Sequence, residues 1–415
     1  MTSISVKEVP RGRIDCNPDS PLDWQKCPFG ELVEVNPLYP MERGRGYPFL
    51  EMAAVKEGFG GISQYDTRPF EGSLSRFALN DTLFAKITPC AENGKVAFID
   101  RLPADNGCGS TEFIVLSPKA EFDPFFVHSL AISPAIHSRA VSRMEGSTGR
   151  LRVTEETFKK WMWVSVPRTR EEQTGIAETL KAADDHIRAL EEQVRKAERV
   201  KRSLLQSFPP SPKHGTGTPL HCVADISSGF TKGRDLAGHE TVEVAYLTVV
   251  NVLEGRVDIS DLSTADVKLH EVEHYGLREG DILMTEGGDR DKVGRGSIWL
   301  GQVPRVVCQN HIFRVRLNTD EVRPWFVHYL LQTYSAKRYF ATRAKQSSNL
   351  CSINSREMRL FELPTLTVKA QGSWVERLRA ADAAIAAIED QLTAARRVKQ
   401  SLLQNLLTGK IRLKP

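Results

Sequence analysis

RVKRSLLQSF at residues 199–208 and RVKQSLLQNL at 397–406 decide the architecture of this 415-residue chain. Seven of the ten positions are identical, 198 residues apart. Solenoid repeats have periods of about 20–50 residues, so this is a duplicated domain. The repeat extends outward. Pro124, Phe126, Val127, His128 and Leu130 recur as Pro324, Phe326, Val327, His328 and Leu330. Asp81-Thr82-Leu83 lies opposite Asp281-Ile282-Leu283, and YPFLEMAAVKEG (47–58) opposite VAYLTVVNVLEG (244–255). Val153 matches Ile353, and Val166-Pro167 matches Leu363-Pro364. From residue 47 onward the offset stays within 197–200. Each copy therefore holds a globular head followed by one long helix.

The chain divides accordingly. Residues 1–28, rich in Pro, Asp and Arg, read as an extended N-terminal arm, and 29–168 as a first head of mixed strands and short helices. A helix fills 169–208, with Thr169 and Glu172 at capping-box spacing and Pro209-Pro210 forcing its end. The segment 209–219 is a linker and 220–368 a second head. The C-terminal segment 369–415 carries a second helix from about 373 to 408, with Ser373 and Glu376 at the same capping spacing and Gly409 as its C′ residue. The fold class is α+β, two tandem mixed α/β heads each followed by a long helix.

Both helices carry an apolar 3-4 ladder. In the first it is Leu180, Ala183, Ile187, Leu190, Val194, Ala197, Lys201 and Leu204; in the second, Leu378, Ala381, Ile385, Ile388, Leu392, Ala395, Lys399 and Leu402. One stripe of this kind also suits a helix lying on its own head. Two stripes in the same phase, each with a Lys at the same rung, predict that the helices pair as an antiparallel coiled coil. The heads would then sit at opposite ends of a pseudo-twofold dumbbell. Each ladder covers 25 residues, about 37 Å at about 1.5 Å per residue. That is close to one turn of B-DNA, roughly 34–36 Å, and a DNA reader of this shape would recognise a split, asymmetric site with an unread gap.

Polar and basic residues cluster at matching places in the heads. The first cluster is Arg139, Arg143, Ser147, Thr148, Arg150 and Arg152; the second is Lys337, Arg338, Arg343, Lys345, Gln346, Ser347, Ser348 and Asn349. Arg and Lys suit phosphates and guanine edges, Gln and Asn suit adenine, and Ser and Thr suit either. A solvated loop has the same composition, but recurrence at matched positions favours DNA contact. The Gly-rich GGDRDKVGRG (287–296) supplies Arg290, Lys292 and Arg295, and its counterpart holds Lys86, Glu92, Asn93 and Lys95. An ordinary hairpin connection is the competing reading there.

Taken in order and in duplicate, these segments resemble the specificity (S) subunit of type I restriction–modification systems. The resemblance covers about residues 25–412 and rests on GELVEVNP, LHCVADISSG, the GDIL of the second head and the two helix ends RVKRSLLQ and RVKQSLLQNLLTGKIRL. It implies that each head is a target recognition domain for one half of a split double-stranded DNA site. It implies that the coiled coil fixes the gap and docks two methyltransferase (M) subunits, and that restriction/translocase (R) subunits join them. Catalysis would lie outside this chain, with S-adenosylmethionine, ATP and Mg used by the partners and no cofactor bound here. The N-terminal arm has no counterpart in that plan.

The residues offer little enzymatic chemistry. Asn36-Pro37-Leu38-Tyr39 approaches an amino-methyltransferase motif, but Leu38 stands where its second Pro belongs, and no Gly-rich cofactor loop follows a strand. No Walker loop occurs. Asp281 and Glu286 lack the following Lys of a nuclease site. His128 and His328 lie on apolar helices and read as packed, and Trp161 and Trp163 as core or partner-facing. Seven scattered cysteines with no metal-ligand spacing fit a reducing cytoplasm, and no run approaches the roughly 18 apolar residues of a membrane span. Composition is globular, 40% hydrophobic and 26% charged, and the net charge of +4 neither demands nor excludes a nucleic-acid partner. A coiled-coil scaffold without sequence readout, and a specificity subunit serving a fused methyltransferase–nuclease, remain as alternatives.

Overall fold

The computed structural model describes residues 8–147, 149–212, 215–289, 292–347 and 350–413. Two compact units are present, one made of residues 1–191 and 390–415, the other of 192–389. Each head is thus grouped with part of both long helices, a different partition from head-then-helix.

In the first unit the central sheet has the order Val33–Val35, Phe113–Pro118, Thr82–Ala85, Val96–Phe98, with antiparallel neighbours. Its strands are apolar on both faces because both faces are covered. Phe84, Val96, Ile114 and Leu116 join the core beneath the helices, whereas Leu83, Ala85, Phe113 and Val115 join a second core. Period-two alternation sends neighbours to opposite sides. The helices Pro124–Ile132 and Pro134–Ser142 each begin with proline at the first turn, where its missing N–H costs nothing. Asp123 caps the first of them, accepting from the Phe125 and Phe126 amides at 3.0 Å.

The second unit repeats the sheet as Ala224–Ser228, Ile312–Leu317, Ile282–Thr285, Gly296–Ile298, and the helix pair as Pro324–Gln332 and Tyr334–Arg343. His128 and His328 are buried in these helices, as expected of packed histidines. The His128 Nδ1 lies 3.2 Å from the Thr82 hydroxyl, and the His328 Nδ1 accepts from the Ile298 amide. Burial pushes their pKa values down to about 3 and about 4, so both rings are neutral at physiological pH.

The arm departs from expectation. Ile14–Asp15 and Gln25–Pro28 both pair with Met162–Val166, and Cys16, Trp24 and Cys27 are core residues. Residues 14–28 are therefore part of the first head. Their pairing partner lies about 140 residues away, which local composition cannot reveal.

The two long helices are Arg170–Ser207 and Val368–Leu406. Thr169 accepts from the Glu172 amide at 3.4 Å, but the Glu172 carboxylate turns to Arg412 and Trp24, so only half of the expected capping box forms. The second helix starts earlier than Ser373, which lies inside it and is exposed. Thr367 is its cap, accepting from the Ala370 amide at 3.3 Å. At the other end Gly409 adopts φ 70°, the left-handed C′ geometry that glycine permits.

Within each unit the helices run antiparallel. In the first, Lys399 pairs with Asp184, Arg396 with Glu191 at 2.9 Å, and Arg412 with Glu172. In the second, Lys201 pairs with Asp382 at 2.7 Å, and the Tyr329 hydroxyl donates to the same carboxylate. Lys201 and Lys399, the polar rungs of the two ladders, thus have matching aspartates 198 residues apart. Along the seam Leu180, Leu190 and Leu378 are fully buried. Ile187, Val194, Leu204, Ile385, Ile388, Leu392 and Leu402 are half-buried. This is the graded burial of a two-helix stripe.

Candidate nucleic-acid interface

The basic loops that the sequence offered as separate candidates converge in each head. In the second, Gly287–Gly288 pairs with Leu350–Ser352, which pairs in turn with Lys345–Ser347. In the first, Ile87 and Glu145 both bridge to Arg152, the same ladder in miniature. The matching extends to single bonds. The Val153 amide donates to the Lys86 carbonyl and the Ile353 amide to the Glu286 carbonyl, each at 2.8 Å. Each patch is therefore a short hairpin strapped to the loop after a core strand. The first hairpin turns at Gly146 and Gly149, with φ of 137° and 79°, where a side chain would be strained.

Many of the nominated cations are already engaged within their own head. Arg139 donates to the Cys16 carbonyl at 2.8 Å and the Ala135 carbonyl at 3.1 Å, tying the N-terminal residues to a helix. Arg152 grips Glu112 with two bonds of 3.0 and 2.9 Å, and the guanidinium holds that carboxyl below its ordinary pKa. Arg143 stacks on Trp161 at 4.2 Å, with Arg13 over the same ring at 4.4 Å. Lys95 donates to the Met52 carbonyl. Lys86 is half-buried, with its carbonyl in the ladder. In the second head Lys337 pairs with Glu254 at 2.5 Å and Lys292 with Asp289. Arg343 stacks on Tyr339 at 3.8 Å and meets Glu357 at 3.3 Å. Arg295 donates to the Val249 carbonyl, while its buried Nε has no hydrogen-bond partner among the described residues.

What is left at the surface is a smaller set. Ser147 and Arg150 stand exposed at the first hairpin, Lys345 and Gln346 at the second, and Arg338 on the helix Tyr334–Arg343 that precedes it. Thr148, Arg290, Ser348 and Asn349 lie outside the described residues. A two-stranded ribbon of this size fits a major groove, where Arg and Gln side chains can pair with base edges. Three supporting residues had no sequence signal beyond type: Trp161 as a platform for Arg143, Glu112 as the clamp on Arg152, and Arg13 in the arm.

The enzymatic candidates resolve into structure. Asn36 takes φ 55° and its side-chain oxygen accepts from the Val115 amide at 2.7 Å, closing a sheet edge. Asp281 is clasped by Arg316 through bonds of 2.7 and 2.6 Å, and Glu286 faces His311, so the two carboxylates form no pair. Among the described residues no three His, Cys, Asp or Glu side chains are grouped to hold a metal, and no helix is long and apolar enough to cross a membrane.

Residues 21–199 match the family described as "Type I restriction modification DNA specificity domain". A protein of Methanocaldococcus jannaschii assigned as the type I restriction enzyme MjaX specificity subunit is 24% identical over 186 residues, 44% of this chain and 43% of the relative. The EcoEI specificity subunit of Escherichia coli is 28% identical over 164 residues, 38% of this chain and 27% of the relative. The matches thus span less than half the length of these relatives. Two solved chains share the fold over 94% of this one. The first, from a structural study of assembly and conformational transition in a type I system, has a TM-score of 0.59 at 16% identity over 99% of its length. The second, the S subunit from M. genitalium, has 0.56 at 14% over 98%. The first head and most of the helix after it are thus similar to a DNA specificity domain of the type I restriction–modification kind, and part of the chain is similar to specificity subunits of those systems.

Proposed function

We propose that this chain is the non-catalytic DNA-reading subunit of a type I restriction–modification complex. Each head recognises one half of a split, asymmetric site. The paired helices set the unread gap and carry two methyltransferase subunits, which the restriction/translocase subunits join. S-adenosylmethionine, ATP and Mg belong to those partners, and the complex works in the cytoplasm.

The observation that carries this reading is the matched pair of hairpin patches. The two heads keep the same ladder and the same strap, yet expose different side chains: Ser147 and Arg150 in one, Lys345 and Gln346 in the other. A shared frame with divergent tips is what two readers of different half-sites require. The Lys–Asp rungs add a reason for a fixed spacing, because a charged rung penalises a slipped register.

The test is to express the chain with the methyltransferase subunit of its system in a host without adenine methylation, and to map modified bases genome-wide. A bipartite, asymmetric motif with a constant gap is expected. A continuous or palindromic motif, or no modification beside an active methyltransferase, overturns the proposal.

A further inference from the structure

A planar guanidinium stacks on an aromatic ring through its face and keeps its N–H edge for hydrogen bonds. In the first head two of them share one ring. Arg13 lies over Trp161 at 4.4 Å from the ring centroid, and Arg143 at 4.2 Å. Their charges are therefore within about 9 Å of each other, less than the screening length of about 10 Å at about 0.1 M salt. Like charges this close repel, and a carboxylate beside them is the ordinary remedy. Among the described residues neither guanidinium makes a hydrogen bond or an ion pair. The neighbouring carboxylates are engaged elsewhere or turned away. Asp15 pairs with Lys26, Glu155 with Lys159 and Glu156 with Lys160, while Glu8 and Glu145, both exposed, reach neither arginine. Arg143 is the C-cap of the helix Pro134–Ser142, and a helix end supplies only about half a negative charge.

The second head treats the same position differently. Arg343, the counterpart of Arg143, stacks on Tyr339 at 3.8 Å and meets Glu357 at 3.3 Å. Where Glu357 supplies that charge, the first head has Thr157, which is buried. The second arginine is an addition of the first head alone. Arg13 precedes the strand Ile14–Asp15, which joins Met162–Val166 in parallel and makes a three-stranded sheet. The corresponding sheet of the second head, Thr218–Pro219 with Glu362–Leu363, has two strands among the described residues. The matched position is thus neutral in one head and doubly positive in the other. The doubly positive one stands at the foot of the hairpin that begins at Glu145 and exposes Ser147 and Arg150.

We propose that Arg13 and Arg143, braced on Trp161, seat a phosphate of the DNA backbone beside the first half-site. This rests on the functional reading above and adds to it a contact made by the N-terminal residues, ahead of the matched family segment 21–199. The free N–H edges suit phosphate oxygens, which a guanidinium takes bidentately. A cation pair at the foot of the ribbon meets the strand at the rim of the groove, while the tip meets base edges. Phosphate contacts fix register and orientation and carry no sequence information. The seat therefore gives the first half-site affinity and salt dependence without adding a base to it, and the second head, with Glu357 against Arg343, has no equivalent there.

The test uses the full chain in complex with the methyltransferase subunit. Fluorescence anisotropy follows two duplexes, one carrying the motif mapped from modified bases and one with both halves scrambled, from about 50 to about 200 mM salt. The double variant Arg13→Gln with Arg143→Gln should lower the slope of log affinity against log salt by about 0.9, which is about a threefold smaller loss across that range. Each single variant should show part of this. Both duplexes should weaken alike, and the modified motif should stay the same. Arg13→Lys keeps the charge and should keep the slope. An unaltered slope in the double variant overturns the seat, as does a slope that falls as far with Arg13→Lys as with Arg13→Gln, which marks a structural effect. A motif that degenerates at one base makes the pair base readers and overturns it too. Loss of a methyltransferase copy in native mass spectrometry, with the slope unchanged, assigns the anion to a protein carboxylate and overturns the phosphate. A wild-type complex that modifies no bipartite motif overturns the functional reading, and the seat with it.

Discussion

Asp81 and Asp281 occupy the same place in the two heads but have opposite energetics. Asp81 is 1% exposed, accepts from the Ala78 amide at 2.8 Å and the Tyr39 hydroxyl at 3.1 Å, and has no cation beside it. Burial raises its pKa from 3.8 to about 6. The folded first unit therefore prefers the protonated acid. Below pH 4 the group is protonated whether folded or not, and no penalty exists. Between about pH 4 and 6 the unfolded chain releases the proton more readily, so stability falls as pH rises. Above pH 6 the whole cost is present, about 3 kcal/mol at about 1.4 kcal/mol per pKa unit. Asp81→Asn keeps an acceptor for the Ala78 amide and removes the charge. It should stabilise the first unit by about 1–3 kcal/mol at pH 7 and flatten the slope between pH 4 and 6. Asp281, equally buried, is bound by two bonds to Arg316. Asp281→Asn leaves that guanidinium short of its counter-charge and should cost the second unit about 2–4 kcal/mol. Hydrogen exchange read by mass spectrometry separates the units. Peptides over Thr82–Ala85 should slow by about fivefold or more in the first variant, and those over Ile282–Thr285 should quicken in the second. Equal changes at both sites, or lost protection around Thr82 in Asp81→Asn, would refute the reasoning.

Further outcomes concern recognition and spacing. Gln346→Ala should relax one position in one half-site and leave the other half unchanged, read from the modified motif; degeneration of both halves contradicts independent heads. Leu190→Asp puts a carboxylate at a fully buried seam position, should cost several kcal/mol (about 2–7), and should reduce assembly with the partner in native mass spectrometry, where an unaltered complex counts against the seam. Seven residues inserted in register between Val194 and Lys201, with seven in the opposing stretch between Asp382 and Glu389, lengthen the spacer by about 10 Å. The unread gap should grow by about three base pairs at about 3.4 Å each, and an unchanged gap removes the ruler from the proposal.

The parts legible in the sequence are those with strong periodicity or literal repetition. The ladders placed both helices and their seam, and the repeat placed the matched cores. The limits follow from the physics. A capping box is a local signature, and Ser373/Glu376 carries it whereas Thr367, followed three residues on by Ala370, does not; the choice lies with Gln371, whose amide accepts from the Arg323 backbone and donates to the Glu321 carbonyl about 50 residues away. The arm looked unattached because a two-residue strand such as Ile14–Asp15 has no period. The candidate interface was legible as composition but not as geometry. Arg139, Arg152, Lys95 and Lys337 look like Arg150 or Lys345 in a sequence, and only their partners, Cys16, Glu112, Met52 and Glu254, remove them from the surface set.

Gln371 has a twin, and the pair has a mechanical consequence. Gln173 accepts from the Asp123 amide at 3.0 Å and donates to the Pro167 carbonyl, just as Gln371 does with Arg323 and Leu366. Each long helix is thereby pinned, in its first turn, to the start of a helix in its own head by a buried amide rather than by grease. Such a joint resists twisting as well as pulling, because any rotation breaks bonds to main-chain groups that have no water to turn to. A push felt at the recognition tip would travel into the rod as torque instead of being absorbed at the junction.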